Sequence, residues 1–180
     1  MTASLLAYVA LYAGDAWHGL FAVMPSQQPI LNAVLAIADP GDEFIFPLPY
    51  YFNHCMAVTM ANCVTVGVKT KPDYQLDIEA VRRAITPRTR LVMLNNPNNP
   101  TGVVYREADI AALLDLCAEK DLLLASDEAY CKLMQPGQVH VPVLKFHRHL
   151  DRLILLGTFS KTYAMTGWRL GYVAAPADLI

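Results

Sequence analysis

The sequence predicts an α/β fold, a mostly parallel seven-stranded sheet flanked by helices. Three observations lead there. Short apolar runs alternate with segments of helical periodicity along all 180 residues. The chain is 54% hydrophobic and only 17% charged, below the roughly 25% charged of an ordinary soluble domain, as strands buried on both faces require. Polar side chains also gather just past the ends of the apolar runs, where an open parallel sheet binds ligands.

The elements follow in order. HGLFAV (18–23) reads as the first strand. QPILNAVLAIA (28–38) carries Ile30, Val34 and Ile37 at helical spacing and stops at DPGDE. EFIFP (43–47) and CVTVGV (63–68) are short β-rich runs. LDIEAVRRAI (76–85) is a helix with Asp77 at the N-cap and Ile78, Val81 and Ile85 on one face. RLVMLN (90–95) is a strand, and READIAALLDLCAEK (106–120) repeats the helical pattern through Ile110, Leu113, Leu114 and Cys117. DLLLAS (121–126), RLILLG (152–157) and LGYVAA (170–175) complete the strands. Strands separated by helices imply crossover connections and a parallel sheet. No internal repeat or linker divides the chain, so residues 1–180 read as one domain.

Composition narrows the function classes. A net charge of −2 offers no electrostatic case for nucleic acid or an anionic membrane surface. Cys55, Cys63, Cys117 and Cys131 form no Cys-x-x-Cys pair, which speaks against zinc or a disulfide framework and fits a reducing cytoplasm. The opening MTASLLAYVALYAG lacks a positively charged start and is too short to span a bilayer; it reads as core or as a ragged end. His147 and His149 in HRHLD suggest a metal pair, but no other ligands converge on them, and a solvated loop before residue 152 accounts for them.

The strand ends carry the chemistry. LPYYFNH follows 43–47, NPNNPTG follows 90–95, DEAY follows 121–126 and TFSK follows 152–157. Aromatic, amide, carboxylate and amine groups therefore leave the strands along one edge. NPNNPTG (96–102), SDEAY (126–130) and FSKTYAMTGWRLGY (159–172), in that order, closely resemble class I/II aminotransferases, fold type I enzymes dependent on pyridoxal phosphate. ADPGDEFIFPLPYYFNH (38–54) looks like the segment that precedes those motifs, and the likeness runs over residues 20 to 176.

The resemblance implies roles residue by residue. Lys161 matches the lysine that joins the cofactor aldehyde as an imine and then moves the Cα proton. Asp127 matches the aspartate that pairs with the pyridine nitrogen and keeps it protonated; by itself it equally suits a turn after a strand. Tyr130 and Asn99 match the groups that hydrogen-bond the ring's phenolic oxygen, although Asn99 also suits an ordinary Asn-Pro turn. Thr158 and Arg169 match residues that bind the cofactor phosphate, which would make the ligand the counter-ion of Arg169. Tyr51 is the candidate for stacking on the ring, with core packing as the competing role. Backbone donors at Ser26 and Gln27, before the 28–38 helix, would complete the phosphate cradle. Here MPSQQP departs from the small residues usual in the family, because Pro25 and Pro29 have no N–H to donate.

The implied activity is transfer of an amino group between an amino acid and a 2-oxo acid, by a cytoplasmic homodimer. A β-lyase-type reaction on the same scaffold and a catalytically silent cofactor-binding remnant remain open. A nicotinamide-binding domain is disfavoured, because no Gly-x-Gly-x-x-Gly follows any strand. The resemblance further implies that this is a partial cofactor-binding large domain. The family's N-terminal segment and its C-terminal small domain, with the arginine for the substrate's α-carboxylate, are not found in the sequence.

Overall fold

The computed structural model describes residues 20–25 and 28–180, with the backbone alone for 20–25 and for Gln28. The opening segment, and with it Ser26 and Gln27, lies outside the described residues. Seven strands form one sheet: β1 (Leu20–Pro25), β2 (Glu43–Leu48), β3 (Val64–Lys69), β4 (Thr89–Asn95), β5 (Leu123–Asp127), β6 (Leu153–Thr158) and β7 (Leu170–Ala175). Their spatial order is β1-β7-β6-β5-β4-β2-β3. The pairings β3/β2, β2/β4, β4/β5 and β5/β6 are parallel, and β7 runs antiparallel to both β6 and β1. The mostly parallel seven-stranded sheet expected from the sequence is therefore observed. The helices are α1 (Gln28–Ile37), α2 (Phe52–Met60), α3 (Ile78–Ala84), α4 (Glu107–Glu119) and the single turn α5 (Phe159–Thr162).

Strand parity builds three layers, because successive side chains point to opposite faces. Phe44, Phe46, Leu91, Met93, Ala125, Ile154 and Leu156 pack with Ile30 and Val34 of α1 and with Ala57 and Val58 of α2. Their neighbours Ile45, Val92, Leu94, Leu124, Leu153 and Leu155 pack on the other face with Val81 of α3 and with Ile110, Leu113 and Leu114 of α4. The central strands are buried almost throughout, whereas β3 ends the sheet and is largely open to solvent. As the sequence suggested, Asp77 caps α3, its carboxylate accepting the Ala80 N–H at 2.9 Å.

The helix α2 was not legible beforehand. Its apolar residues Phe52, Met56 and Met60, spaced four apart, face outward, while His54, Ala57 and Val58 are the buried ones. The hydrophobic stripe thus marks the wrong face, and a histidine takes a core position.

At the opposite edge from the strand ends discussed above, the start of β2 holds two buried carboxylates. Glu43 accepts Thr86 Oγ1 at 2.6 Å and Arg88 Nη2 at 3.0 Å. Asp42 accepts Arg90 Nε at 2.8 Å. The Thr86 hydrogen bond, with help from Arg88, holds Glu43 below its ordinary 4.5, and the Arg90 hydrogen bond holds Asp42 below 3.8. A carboxyl group with a depressed folded pKa contributes stability that is complete above the unfolded value and is lost as pH falls through the folded one. Urea unfolding should therefore show stability dropping as pH is lowered from about 6 to about 3. Glu43→Gln should weaken that dependence; an unchanged pH profile would show the contacts to be inert.

Candidate functional site

The carboxyl ends of β4, β5 and β6 deliver Asn95, Asp127 and Thr158 to the α1/α2 side of the sheet, on the same parity as Met93, Ala125 and Leu156. A cavity of about 200 Å³ opens there, walled by Pro29, Tyr51, His54, Asp127, Tyr130, Thr158, Ser160, Lys161 and Arg169 among others. Six of the residues singled out in the sequence therefore share one cavity: Tyr51, Asp127, Tyr130, Thr158, Lys161 and Arg169. Asn99 does not line it. Asn99 lines a neighbouring cavity of about 240 Å³ that shares Tyr130 as a wall.

Each wall has a local cause. Tyr51 is the residue immediately before α2, and His54 lies three residues on, so both face the same way. His54 Nε2 contacts Asp127 Oδ2 at 2.9 Å, with side-chain exposures of 4% and 18%. Asp127 Oδ1 accepts the Ala129 N–H at 3.0 Å. Both carboxylate oxygens are thus held, and the Tyr51 ring stands edge-on to His54 with centroids 5.4 Å apart. Within ADPGDEFIFPLPYYFNH the sequence assigns His54 no role. The available signal was its spacing from Tyr51 in a segment whose helical character was hidden.

The amide-rich loop after β4 is mostly self-bonded. Asn95 Oδ1 accepts the Asn99 N–H at 2.7 Å, Asn96 Oδ1 accepts the Tyr105 N–H at 3.1 Å, and Asn98 Oδ1 accepts the Thr101 hydroxyl at 2.8 Å. The Asn99 amide instead interacts with the Tyr130 hydroxyl. Burial, reinforced by the Asp127 carboxylate, pushes the Tyr130 phenol up from 10.0, against the opposing effect of the Asn99 hydrogen bond.

The β6–α5 turn presents the cations. Thr158 Oγ1 accepts the Ser160 N–H at 3.1 Å and donates to the Leu170 carbonyl at 3.2 Å, capping the turn that carries Lys161. Lys161 Nζ lies 5.8 Å from the centre of the Tyr130 ring. Gly157 precedes the turn because the Tyr172 ring occupies the space a Cβ would need. Arg169 adopts left-handed backbone (φ 54°) and its Nη1 donates to the Thr166 carbonyl at 3.1 Å. Such a conformation costs a non-glycine residue roughly 1 kcal/mol or more, and Arg169 is one of the residues that wall the cavity. His149, by contrast, contacts Asp115 at 3.0 Å just before the start of β6, at the opposite end of that strand from Thr158.

Among the described residues, Lys161 and Arg169 have no carboxylate within ion-pair distance, and the buried Ser160 Oγ has no hydrogen-bond partner. Two uncompensated cations and an orphaned hydroxyl fit an anionic ligand. The Tyr51 ring and the Asp127 carboxylate fit a flat heteroaromatic one with a basic nitrogen.

Comparison with known proteins agrees with this chemistry. Residues 20–180 match the family model described as aminotransferase class I and II. The chain is 41% identical over 156 residues to the aspartate/prephenate aminotransferase of Thermus thermophilus, covering 86% of this chain and 40% of that protein. It superposes on the aromatic aminotransferase of Pyrococcus horikoshii with a TM-score of 0.91 at 30% identity, over 98% of this chain and 48% of that one. The N-succinyldiaminopimelate aminotransferase of Mycobacterium tuberculosis gives 0.90 at 31% identity, over 98% and 48%. The chain spans about two fifths of the length of the curated relatives it matches.

The His54–Asp127 contact can be measured directly. A double-mutant cycle of His54→Ala and Asp127→Ala, read by urea unfolding, should give a coupling of about 2 kcal/mol, as for a hydrogen bond to a charged group. Strictly additive losses would mean that the two side chains do not interact.

Proposed function

The chain belongs to the class I and II aminotransferase family, and on that basis we propose that its cavity holds pyridoxal 5′-phosphate and serves amino-group transfer between an amino acid and a 2-oxo acid. The observation that carries the reading is that Asp127 and Lys161, from different strand ends, wall one cavity together with Arg169. When bound, the cofactor supplies an electron sink, its protonated ring accepting the charge left when a Cα substituent departs.

The protein supplies the rest. Asp127 would hold the proton on the ring nitrogen, with His54 and the Ala129 amide fixing the carboxylate's direction. Tyr130, whose phenol burial pushes up from 10.0, would donate to the ring's phenolic oxygen, with Asn99 as its neighbour. Tyr51 would lie against the ring face. Thr158, Arg169 and the unpartnered Ser160 hydroxyl would take the phosphate, by hydroxyl and by guanidinium charge; Ser26 and Gln27 belong to the same proposal. Lys161 would bind the aldehyde and later move the Cα proton, as nucleophile and then as base.

No helix among the described residues is long and apolar enough to cross a membrane. The reading extends to a cytoplasmic homodimer on the strength of family membership alone.

Mixing the chain with pyridoxal phosphate, reducing with borohydride and mapping peptides by mass should place the label on Lys161. Lys161→Ala should lose the label while keeping its circular dichroism spectrum. A label elsewhere, or none on folded protein, would overturn the assignment. With amino acids added, a 2-oxo acid plus aminated cofactor is expected; pyruvate and ammonia would move the chain to β-elimination.

A further inference from the structure

Parity at the end of β5 sends Asp127 to the cavity and leaves Ser126 and Glu128 on the opposite face. Glu128 is 2% exposed, and burying a carboxylate costs several kcal/mol unless donors meet it. Here they do. Its oxygens accept the Val143 N–H at 2.9 Å, His140 Nε2 at 2.8 Å and Ser126 Oγ at 3.4 Å. His140 is also enclosed, with its side chain 7% exposed.

Val143 and His140 belong to the connection from β5 to β6, which crosses residues 128–152 without an α-helix. Its outer part is exposed, Leu133 to 55% and Val139 to 77%. Freedom in such a segment would reach Tyr130 unless something arrested it. The main chain of Glu128 is tied as well: its N–H donates to the Leu156 carbonyl at 2.9 Å and its carbonyl accepts the Cys131 N–H at 3.1 Å. Burial, and after it the charges of Cys131 and Glu128, raise the pKa of the Tyr172 hydroxyl. Tyr172 is the ring that fills the space over Gly157.

We propose that Glu128 is a positioning residue for the cavity: by gripping Val143 and His140 behind the sheet, it sets the direction of Asp127 and Tyr130 in front. An apolar side chain could fill the same volume without desolvating a charge, but it could not fix the connection at two donors. Glu128 acts on the cavity through its chain neighbours Asp127 and Tyr130.

The test compares Glu128→Gln and His140→Gln with Ile110→Val, a core-thinning change behind the sheet on the same face as Glu128 that leaves its hydrogen bonds intact, in the 180-residue chain. Native-state exchange of the Ala129 amide, which donates to Asp127 Oδ1, is measured beside the melting temperature. In Glu128→Gln this amide should exchange about tenfold faster than the global stability change explains, with a smaller excess in His140→Gln and none in Ile110→Val. Exchange that tracks global stability in all three would make Glu128 merely structural and overturn the proposal. If Glu128→Gln does not fold, His140→Gln decides on the same criterion. A second arm rests on the cofactor reading above: the pyridoxal phosphate dissociation constant should rise several-fold in Glu128→Gln but not in Ile110→Val. An unaltered chain that binds no pyridoxal phosphate would defeat that reading alone, and amide exchange would still decide the role of Glu128.

Discussion

At the end of β5, one strand sends a carboxylate to each face of the sheet. Asp127 meets His54 of α2 in front, and Glu128 meets His140 and Val143 behind. Neither carboxylate is free to choose its face, because pleating alternates successive side chains and hydrogen bonds from β4 and β6 pin the register. The polar edge inherits its precision from this constraint. Each carboxylate is acceptable at its site only because a partner from a distant part of the chain arrives there.

The cavity is completed by two exposed cations and one buried hydroxyl whose partners the fold does not supply. Asn95, Asn96 and Asn98 hydrogen-bond to backbone or to a local hydroxyl, which makes the NPNNPTG loop self-supporting. By contrast, the Ser160 hydroxyl has no hydrogen-bond partner, and Lys161 and Arg169 have no carboxylate within ion-pair distance among the described residues, Arg169 reaching only the Thr166 carbonyl. A strained Arg169 and an orphaned hydroxyl are costs that a fold tolerates where a ligand offsets them. The family relationship supplies the natural candidate, an anionic cofactor with a ring nitrogen for Asp127. The matched region, two fifths of the relatives' length, contains every one of these groups on a single sheet edge.

Much of this architecture was legible. The seven strands and three of the helices fall within a few residues of their expected places, because buried parallel strands are continuous apolar runs and the helices carry a one-sided stripe. Of the two helices not expected, α2 is the instructive one. In α2 the stripe Phe52, Met56 and Met60 is exposed and the inner face is His54, Ala57 and Val58, so periodicity pointed away from the core. His54 could not be assigned a partner, since Asp127 lies 73 residues away. Glu128 was visible only as the companion of Asp127, and the donors that bury it come from positions 140 and 143 of an irregular connection.

The sequence by itself determined the fold class, the order of the elements and the motif residues that leave the strand ends, because short-range periodicity and residue chemistry suffice for those. Tertiary structure alone decided which residues share a wall: that Asp127 is held by His54, that Asn99 faces a second cavity beside Tyr130, and that Tyr172 requires glycine at position 157. Those relations depend on how strands separated in sequence are ordered in the sheet, and no local pattern encodes a neighbour brought from far along the chain.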